Sequence, residues 1–496
     1  MSLHRLTSAS LLLGGALLAG RATGLVREMQ LGAVFGLSSD ADLAVLLLTT
    51  PDLLSSLLLA GGLNAALVPE FRQLPPADRT TLLIQAFAVA ILGFGAIATV
   101  IAWSPEVLFY ILAPGLLAVS SDEYAAQVAI AAIAIPLAAC SAVLAAYLNS
   151  QHRFFVVGIG TLIFNSVVIV ALIAGPGPVP TTLVLAMAIV AGAIARVLSQ
   201  FLGASGTLST PRRLWARGAS AGLERHFIAA FGATTIILLI PIALRSLVSL
   251  EGRGNLAAFN FAIKLYELPM AIAIASLSTV AYPMICDFVH EKNDSALRRF
   301  FGSALRRAIG TALAIAVPAA WFAPALVGLV FGHGAMTDRD LELITDLSRI
   351  LFVALPAAAA TAMSTALINA RGEIGRLLRL TILMTIVLAP AVVPGLLSSE
   401  PRLIAAAMPV AYLLYSWLLL RATGYRVGGR DGLLPWSIII QSLIASLMPT
   451  VLLGALWALT WPTSDTAGSV CAGLATLAGL LATRATRADP DRPEPQ

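Results

Sequence analysis

The sequence predicts an all-α membrane protein with about fourteen transmembrane helices, and three observations support this fold class. Of the 496 residues, 58% are hydrophobic and 11% are charged, whereas a soluble protein carries about 25% charged residues. Apolar runs of roughly 20 residues, the length that crosses a bilayer as a helix, follow one another along the chain. Membrane-spanning strands are shorter and alternate in polarity, so these runs are expected to be helices.

Fourteen spans are predicted in chain order. They occupy residues 7–33, 41–71, 80–103, 124–149, 154–174, 181–205, 226–249, 255–288, 302–331, 341–369, 376–397, 402–422, 434–460 and 466–484. Residues 104–118 are apolar but too short to cross the bilayer, so we expect an interfacial helix there. Residues 290–301, which carry Lys292, Arg298 and Arg299, are predicted to form a second surface segment.

The distribution of basic residues predicts the orientation of these spans. If the N-terminus is cytoplasmic, the cytoplasmic loops hold 22 of the 31 basic residues. The external loops hold four, Arg253, Arg339, Arg349 and Arg402. Basic loops stay on the cytoplasmic side, and one missed span would reverse every later loop. The bias therefore predicts both termini in the cytoplasm of a bacterial cell, with the spans in its plasma membrane.

An internal repeat predicts the domain organisation. Pro136 precedes Asn149 by 13 residues, and Pro356 precedes Asn369 by the same interval, 220 residues further on. Either this is chance agreement in a chain rich in Ala and Leu, or a six-helix unit is duplicated, as in many transporters. Duplication predicts two lobes in a pseudo-two-fold arrangement. The parts are an N-lobe (1–206), a cytoplasmic linker (207–225), a C-lobe (226–422), two further helices (423–484) and a cytoplasmic tail (485–496).

Five basic residues fall inside the spans, where a charge costs roughly 2.5–3.5 kcal/mol on insertion scales. They are Arg21, Arg27, Arg196, Arg245 and Lys264. Such residues face a cavity or find a partner, and a cationic cavity suits a phosphate or diphosphate head group. A structural ion pair is the alternative, and Arg196 and Arg245 are close enough to helix ends to snorkel. Gly20 and Gly24 flank Arg21 and favour close packing of the first helix.

Two acidic residues are the expected partners of these cations. Asp42 opens the second span, and we expect the first hairpin to bring it to Arg27, as a gate or a structural clamp. Glu267 follows Lys264 by three residues and shares its helical face, which predicts an ion pair.

Enzymatic chemistry finds little support in the sequence. It contains no Walker A loop, no metal-binding spacing of its five His or three Cys residues, and no nucleophile with a matching base. We therefore expect a transporter that is not an enzyme and that uses no cofactor or metal.

Several short motifs occur in a characteristic order. They are GRATGLVREMQLGAVFGLSSDADLAVLLLTTPDLL (20–54), LVPEF (67–71), LNSQHRFF (148–155) with Asn165, KLYELP (264–269) with Pro283, FGHGAMT (331–337) and INARGE (368–373). In this order and spacing, residues 8–425 resemble the MurJ/MviN family of lipid II flippases, within the MOP superfamily. The resemblance implies a V-shaped protein of two six-helix lobes plus two helices, working by alternating access.

The resemblance also implies a set of functional residues. The important basic residues of the family's cavity correspond to Arg21, Arg27 and Lys264, where the family usually has Arg at the last position, and its important Asp corresponds to Asp42. The chain departs from the family at Ser55 and the residue after it, where two Arg are usual, so its cavity is expected to be less cationic. Residues 227–241 and 377–393 lack the acidic and amide side chains with which some members bind sodium.

The expected function is therefore movement of a lipid-linked diphosphate cell-wall precursor, such as an undecaprenyl-diphosphate glycopeptide, between leaflets. We expect a monomer surrounded by membrane lipids, with no nucleic-acid partner. One alternative is an exporter of another lipid-linked oligosaccharide or amphipathic small molecule of the MOP superfamily. Another is a non-transporting scaffold for cell-wall synthesis, which would have no need of charges inside its spans.

Overall fold

A computed structural model describes residues 3–58, 64–118, 121–175, 181–211, 240–271, 276–424, 436–460 and 464–485. These residues fold into helices and contain no strand, which confirms the all-α fold class. The chain divides into two compact units, Met1–Ala257 and Ala258–Gln496. Residues 212–225 of the predicted linker, 226–239 of the seventh predicted span and 486–496 of the predicted tail lie outside the described residues. The predicted lobe boundaries remain predictions.

The first unit contains nine long or short α-helices in the described residues. They are α1 (Leu3–Phe35), α2 (Ser39–Leu58), α3 (Asn64–Gln73), α4 (Pro76–Trp103), α5 (Glu106–Leu112), α6 (Ser121–Ala132), α7 (Ala134–Ser150), α8 (Phe154–Ile173) and α9 (Thr181–Ser205). Two 3-10 turns, Pro114–Ala118 and Ser249–Glu251, also belong to it. Residues 240–248 are helical as well.

The next helix, α10 (Asn255–Pro269), begins at the end of the first unit and continues into the second. The remaining helices of the second unit's described residues are α11 (Ser276–His290), α12 (Asp294–Trp321), α13 (Ala323–Phe331), α14 (Asp338–Phe352), α15 (Leu355–Ala370), α16 (Ile374–Ser398), α17 (Pro401–Ala422), α18 (Trp436–Thr460) and α19 (Asp465–Ala485).

Within the described residues, ten helices are long and apolar enough to cross a membrane, or eleven if α14 and α15, bent by 42°, form one span. They correspond to eleven of the fourteen predicted spans, so the protein is a multi-pass membrane protein. The first, seventh and eighth predicted spans coincide with α1, with residues 240–248, and with α10 and α11. Their crossing of the membrane stays a prediction.

The two predicted surface segments have different outcomes. Residues 104–118 form α5 and a 3-10 turn, which are too short to cross, and Trp103 and Tyr110 beside them are exposed, as is usual for aromatic residues at a membrane interface. Residues 290–295 are exposed, as are Arg298 and Arg299, but they are not separate from the next helix: α12 starts at Asp294 and runs unbroken to Trp321. The side chain of Asn293 accepts the Ala296 N–H at 3.1 Å and caps this helix, so Arg298 and Arg299 lie in its first turns and Lys292 precedes it.

The two repeat prolines occupy matching positions. The fourth predicted span breaks between α6 and α7, and Pro136 lies in the first turn of α7. The tenth breaks between α14 and α15, and Pro356 lies in the first turn of α15. A proline is tolerated there because its missing N–H would have no partner within the helix. Most side chains of α7 and α15 are buried, and duplication of a six-helix unit stays a prediction.

Glycines bring α1 close to α8, as the sequence predicts. A Cβ on Gly20 would lie 3.6 Å from the Thr161 side chain, and one on Gly24 would lie 3.7 Å from the Asn165 amide nitrogen. Thr161 and Asn165 are four residues apart and share a face of α8. This packing fixes the depth and rotation of α1, and so the position of its arginines.

Candidate functional site

A buried cluster of charged and amide side chains lies inside the first unit, where α1, α2 and α8 meet. Arg27 on α1 is 4% exposed. Its Nη1 donates to Oδ2 of Asp52 and to Oδ1 of Asn165, both at 3.1 Å. Its Nη2 donates to Oε1 of Glu28 at 2.8 Å and to Oδ2 of Asp52 at 3.2 Å. Two carboxylates thus compensate a guanidinium that would otherwise be costly to bury.

Asn165 connects this cluster to the backbone of α1. Its Nδ2 donates to the carbonyl oxygen of Gly20 and to Oγ1 of Thr23, both at 3.2 Å, while its oxygen accepts from Arg27. The Asn165 amide therefore both donates and accepts hydrogen bonds. It connects the Arg27 side chain to the contact between α1 and α8.

The predicted pairing of Arg27 with Asp42 is wrong. Asp42 is 3% exposed and accepts backbone N–H groups at the start of α10, from Gly254 at 2.7 Å and from Ala257 at 2.8 Å. The start of α10 also lies against the α1–α2 turn, because a Cβ on Gly254, whose φ is +79°, would come within 2.7 Å of the Leu37 backbone. Asp42 is thus a helix cap supplied from another helix.

Distance from the turn does not decide which aspartate meets Arg27. In a helical hairpin, residues at equal distance from the turn lie at equal depth. Arg27 is ten residues before Leu37 in the turn, Asp42 is five residues after it and Asp52 is fifteen after it, so at 1.5 Å per residue both aspartates differ from Arg27 in depth by about 7 Å. The contacts separate them: Asp42 accepts backbone N–H groups of α10, whereas Asp52 accepts from Arg27.

A small cavity of about 10 Å³ adjoins the cluster at Asp52. Its lining residues come from α2, α7, α8 and α9: Pro51, Asp52, Ser55, Leu137, Ala138, Ser141, Phe164, Ala193 and Arg196. The structure thus brings two of the less favoured predicted residues, Ser55 and Arg196, to the same cavity as Asp52. A cavity of this size admits about one water molecule, so it does not hold a lipid head group.

The predicted pairing of Lys264 with Glu267 is confirmed. Nζ of Lys264 donates to Oε2 of Glu267 at 3.0 Å on α10, and the two side chains are 24% and 39% exposed. A pair with this exposure contributes only about 0–1 kcal/mol to stability. Lys264 therefore remains available to an anionic ligand at small cost.

Neither Arg21 nor Arg245 lines the cavity beside Asp52. Arg21 is exposed on α1, so within a predicted span it faces an aqueous or protein-lined space. Arg245 is half-buried on the helical residues 240–248. Among the residues that the structure describes, no group of three or more His, Cys, Asp and Glu side chains is placed to hold a metal ion.

Helices long and apolar enough to cross a membrane, two of them beginning with matching prolines, and charges buried inside the first unit are features of a membrane transporter. Comparison with known proteins identifies its family. The family model described as lipid II flippase MurJ matches residues 31–478, and the chain belongs to this family.

Two relatives illustrate the similarity. A probable lipid II flippase MurJ of Rhizobium meliloti is 24% identical over 494 residues, covering 95% of this chain and 90% of the relative. A lipid II flippase MurJ of Burkholderia cenocepacia is 26% identical over 365 residues, covering 69% of this chain and 68% of the relative.

Solved structures share the fold at lower sequence identity. A lipid II flippase MurJ in an inward closed conformation superimposes with a TM-score of 0.82 at 16% identity, covering 97% of this chain and 100% of that one. An inward-facing multidrug resistance MATE transporter of the MOP superfamily gives 0.66 at 15% identity, covering 82% and 95%. These similarities confirm the predicted transporter fold.

Proposed function

We propose that this protein moves a lipid-linked diphosphate cell-wall precursor, such as lipid II, from the inner to the outer leaflet by alternating access. It works as a monomer in the bacterial plasma membrane, with both termini in the cytoplasm. The main support is a cationic site built into a member of the lipid II flippase family: Arg27 is buried and compensated, while Arg21 is exposed on the same helix.

The basic residues have separate roles in this proposal. Arg21 and Lys264 bind the diphosphate of the head group, because one is exposed and the other is held only by a weak ion pair. A guanidinium can bind phosphate oxygens through two parallel hydrogen bonds, whereas an ammonium acts as a point charge. Arg27 joins them when its carboxylate partners release it. The lipid tail stays in the bilayer throughout.

Asp42 acts as a gate near the α1–α2 turn. The charge bias predicts that this end of the first unit is external. In the described conformation it connects α2 to the start of α10 through two hydrogen bonds. Breaking these bonds frees the start of α10 from the α1–α2 turn. We assign this step to the opening of the transport path toward the outer side.

A second candidate is transport of another lipid-linked oligosaccharide or an amphipathic small molecule. The observation that favours it is Ser55, a neutral residue in the cavity beside Asp52, where the MurJ/MviN family usually has Arg. A less cationic site suits a head group with fewer negative charges.

Complementation tests the proposal. The gene is expressed in a bacterial strain whose own lipid II flippase can be depleted, and growth is measured with wild type, Arg21→Ala and Lys264→Ala. We expect wild type to restore growth and both variants to fail at equal protein level in the membrane. Arg402→Ala is a matched control, because that arginine pairs with Asp346 and Glu400 on a different surface, and it should still restore growth. Failure of wild type at normal membrane level would contradict the lipid II assignment and favour the second candidate.

A further inference from the structure

Asp52 stands between two arginines but bonds only one of them. Both hydrogen bonds from Arg27 go to its Oδ2, at 3.1 and 3.2 Å. Its Oδ1 accepts no hydrogen bond from the residues that the structure describes. Arg196 lines the same cavity as Asp52, yet the two side chains form no ion pair within 4 Å.

Two other polar groups that line the cavity lack partners. Nε of Arg196 and Oγ of Ser55 are buried and make no hydrogen bond to the described residues. A buried polar group without a partner costs about 1–3 kcal/mol, so a nearby acceptor would stabilise both. The free oxygen of Asp52 is such an acceptor.

The packing of α9 keeps Arg196 directed at this cavity. A Cβ on Gly160 of α8 would lie 3.2 Å from Cγ of Arg196 and 3.1 Å from Nε2 of Gln200, so the glycine leaves room for the arginine stem. Gln200 in turn accepts a hydrogen bond from Ser141 of α7 at 2.9 Å. The stem of Arg196 is thus enclosed inside the unit.

The backbone at Asp52 is suited to a local movement. Pro51 precedes it within α2, and a proline inside a helix removes one backbone hydrogen bond and allows a bend. Asp52 and Arg196 both line the small cavity, and the Asp52 side chain is 39% exposed, so the carboxylate is not enclosed on all sides.

We propose that Arg196 is a positioning residue for transport: Asp52 passes from Arg27 to Arg196 across the cavity. Its departure removes one of the two carboxylates that hold the Arg27 guanidinium and leaves Glu28 in place, so that the cation can bind the diphosphate of the substrate. The inference rests on the proposed function. Arg27, Glu28, Asp52 and Arg196 carry no net charge together, so each arginine has a carboxylate partner after the exchange. Ser55 then donates its hydroxyl to the moved carboxylate. A larger cationic side chain at this position would fill the space that the carboxylate enters.

Binding of lipid II and undecaprenyl diphosphate, measured by native mass spectrometry on the purified full-length protein, tests this exchange. Arg196→Gln should weaken binding about 5- to 30-fold, the range for coupled neighbours, because Asp52 then stays on Arg27. Adding Asp52→Asn releases Arg27 by another route, so the double variant should bind to within about twofold of Asp52→Asn alone. Arg196→Lys, which retains the charge, should keep most of the wild-type binding.

The controls separate positioning from other roles. Arg245→Gln, a change of the same kind in another helix of the first unit, should gain nothing from Asp52→Asn. Thermal unfolding of each variant is measured alongside. The Arg196→Gln/Asp52→Asn double variant should bind more tightly than Arg196→Gln without a matching increase in unfolding temperature. If the double variant binds as weakly as Arg196→Gln, Arg196 contacts the substrate or only supports the fold, and the exchange is wrong. If wild type binds neither lipid, the proposed function fails and the exchange fails with it.

Discussion

Arg27 of α1 donates two hydrogen bonds to one carboxylate oxygen of Asp52 on the next helix, α2. Its Nη1 and Nη2 both reach Oδ2, at 3.1 and 3.2 Å. This bond holds a buried cation in place, and it is local to the first unit. In the proposed function, the same bond determines when the cation is available to an anionic substrate.

Coupling between Arg27 and Asp52 is the first expected outcome. Arg27→Ala and Asp52→Ala should each lower the free energy of unfolding, and the double variant should lose less than the sum, by about 0.5–3 kcal/mol. Arg27→Ala combined with Asp42→Ala should be additive within about 0.5 kcal/mol, because Asp42 bonds backbone groups of α10 instead. Thermal unfolding in detergent measures the single and double variants of both double-mutant cycles. Additive losses for the first pair would contradict the observed bonds.

Asp42 should be sensitive to changes in its acceptor oxygens. Asp42→Ala removes both hydrogen bonds to the start of α10, so we expect a loss of about 0.5–2 kcal/mol, as for other helix caps. Asp42→Asn keeps one acceptor oxygen and should lose less. Unfolding temperatures of the two variants provide the comparison, and equal losses would argue against the capping role.

Arg21 and Lys264 should differ in how they tolerate conservative changes. Arg21→Lys keeps the charge but loses the two-bond geometry of the guanidinium, so growth complementation should fall strongly. Lys264→Arg should keep most activity, because it retains the charge, the partner Glu267 and the ability to bind phosphate. Both alanine variants should still insert and fold, since a charge within the membrane is costly and its removal is not. The opposite order of the two conservative variants would contradict the assigned roles.

The orientation of the chain can be tested by cysteine labelling. A background without Cys140, Cys286 and Cys471 receives a single cysteine in place of Arg298 or Ser398. The charge bias predicts that an impermeant thiol reagent on intact cells labels position 398 and leaves position 298 unmodified until the cells are opened. External labelling at position 298 would overturn the predicted topology.

Local rules predicted those contacts that depend on one helix or one helix pair. The spacing of Lys264 and Glu267 predicts their ion pair because i and i+3 residues share a helical face. Gly20 and Gly24 predict a close neighbour for α1, and the structure identifies it as α8. Apolar run length predicts most spans because the bilayer thickness fixes it.

Two kinds of contact cannot be predicted from such local rules: contacts set by the relative depth of two helices, and contacts with backbone groups far away in the chain. Arg27 and Asp52 meet because of the relative depth and rotation of two helices, which the order of residues alone does not state. Asp42 bonds N–H groups of Gly254 and Ala257, more than 200 residues away. Every residue except proline has a backbone N–H, so the sequence does not indicate which of them a buried Asp will bond. It therefore predicts a side-chain partner for Asp42, Arg27, and does not predict the backbone groups of α10.

Movement of lipid II across a bilayer by the purified protein tests the central claim most directly. The protein is reconstituted into vesicles that carry labelled lipid II, and the fraction of head groups accessible from outside is followed over time. We predict that wild type speeds the exchange between leaflets, and that Arg21→Ala and Lys264→Ala reduce it to the rate of protein-free vesicles. Wild-type vesicles that exchange lipid II no faster than protein-free vesicles would contradict the account.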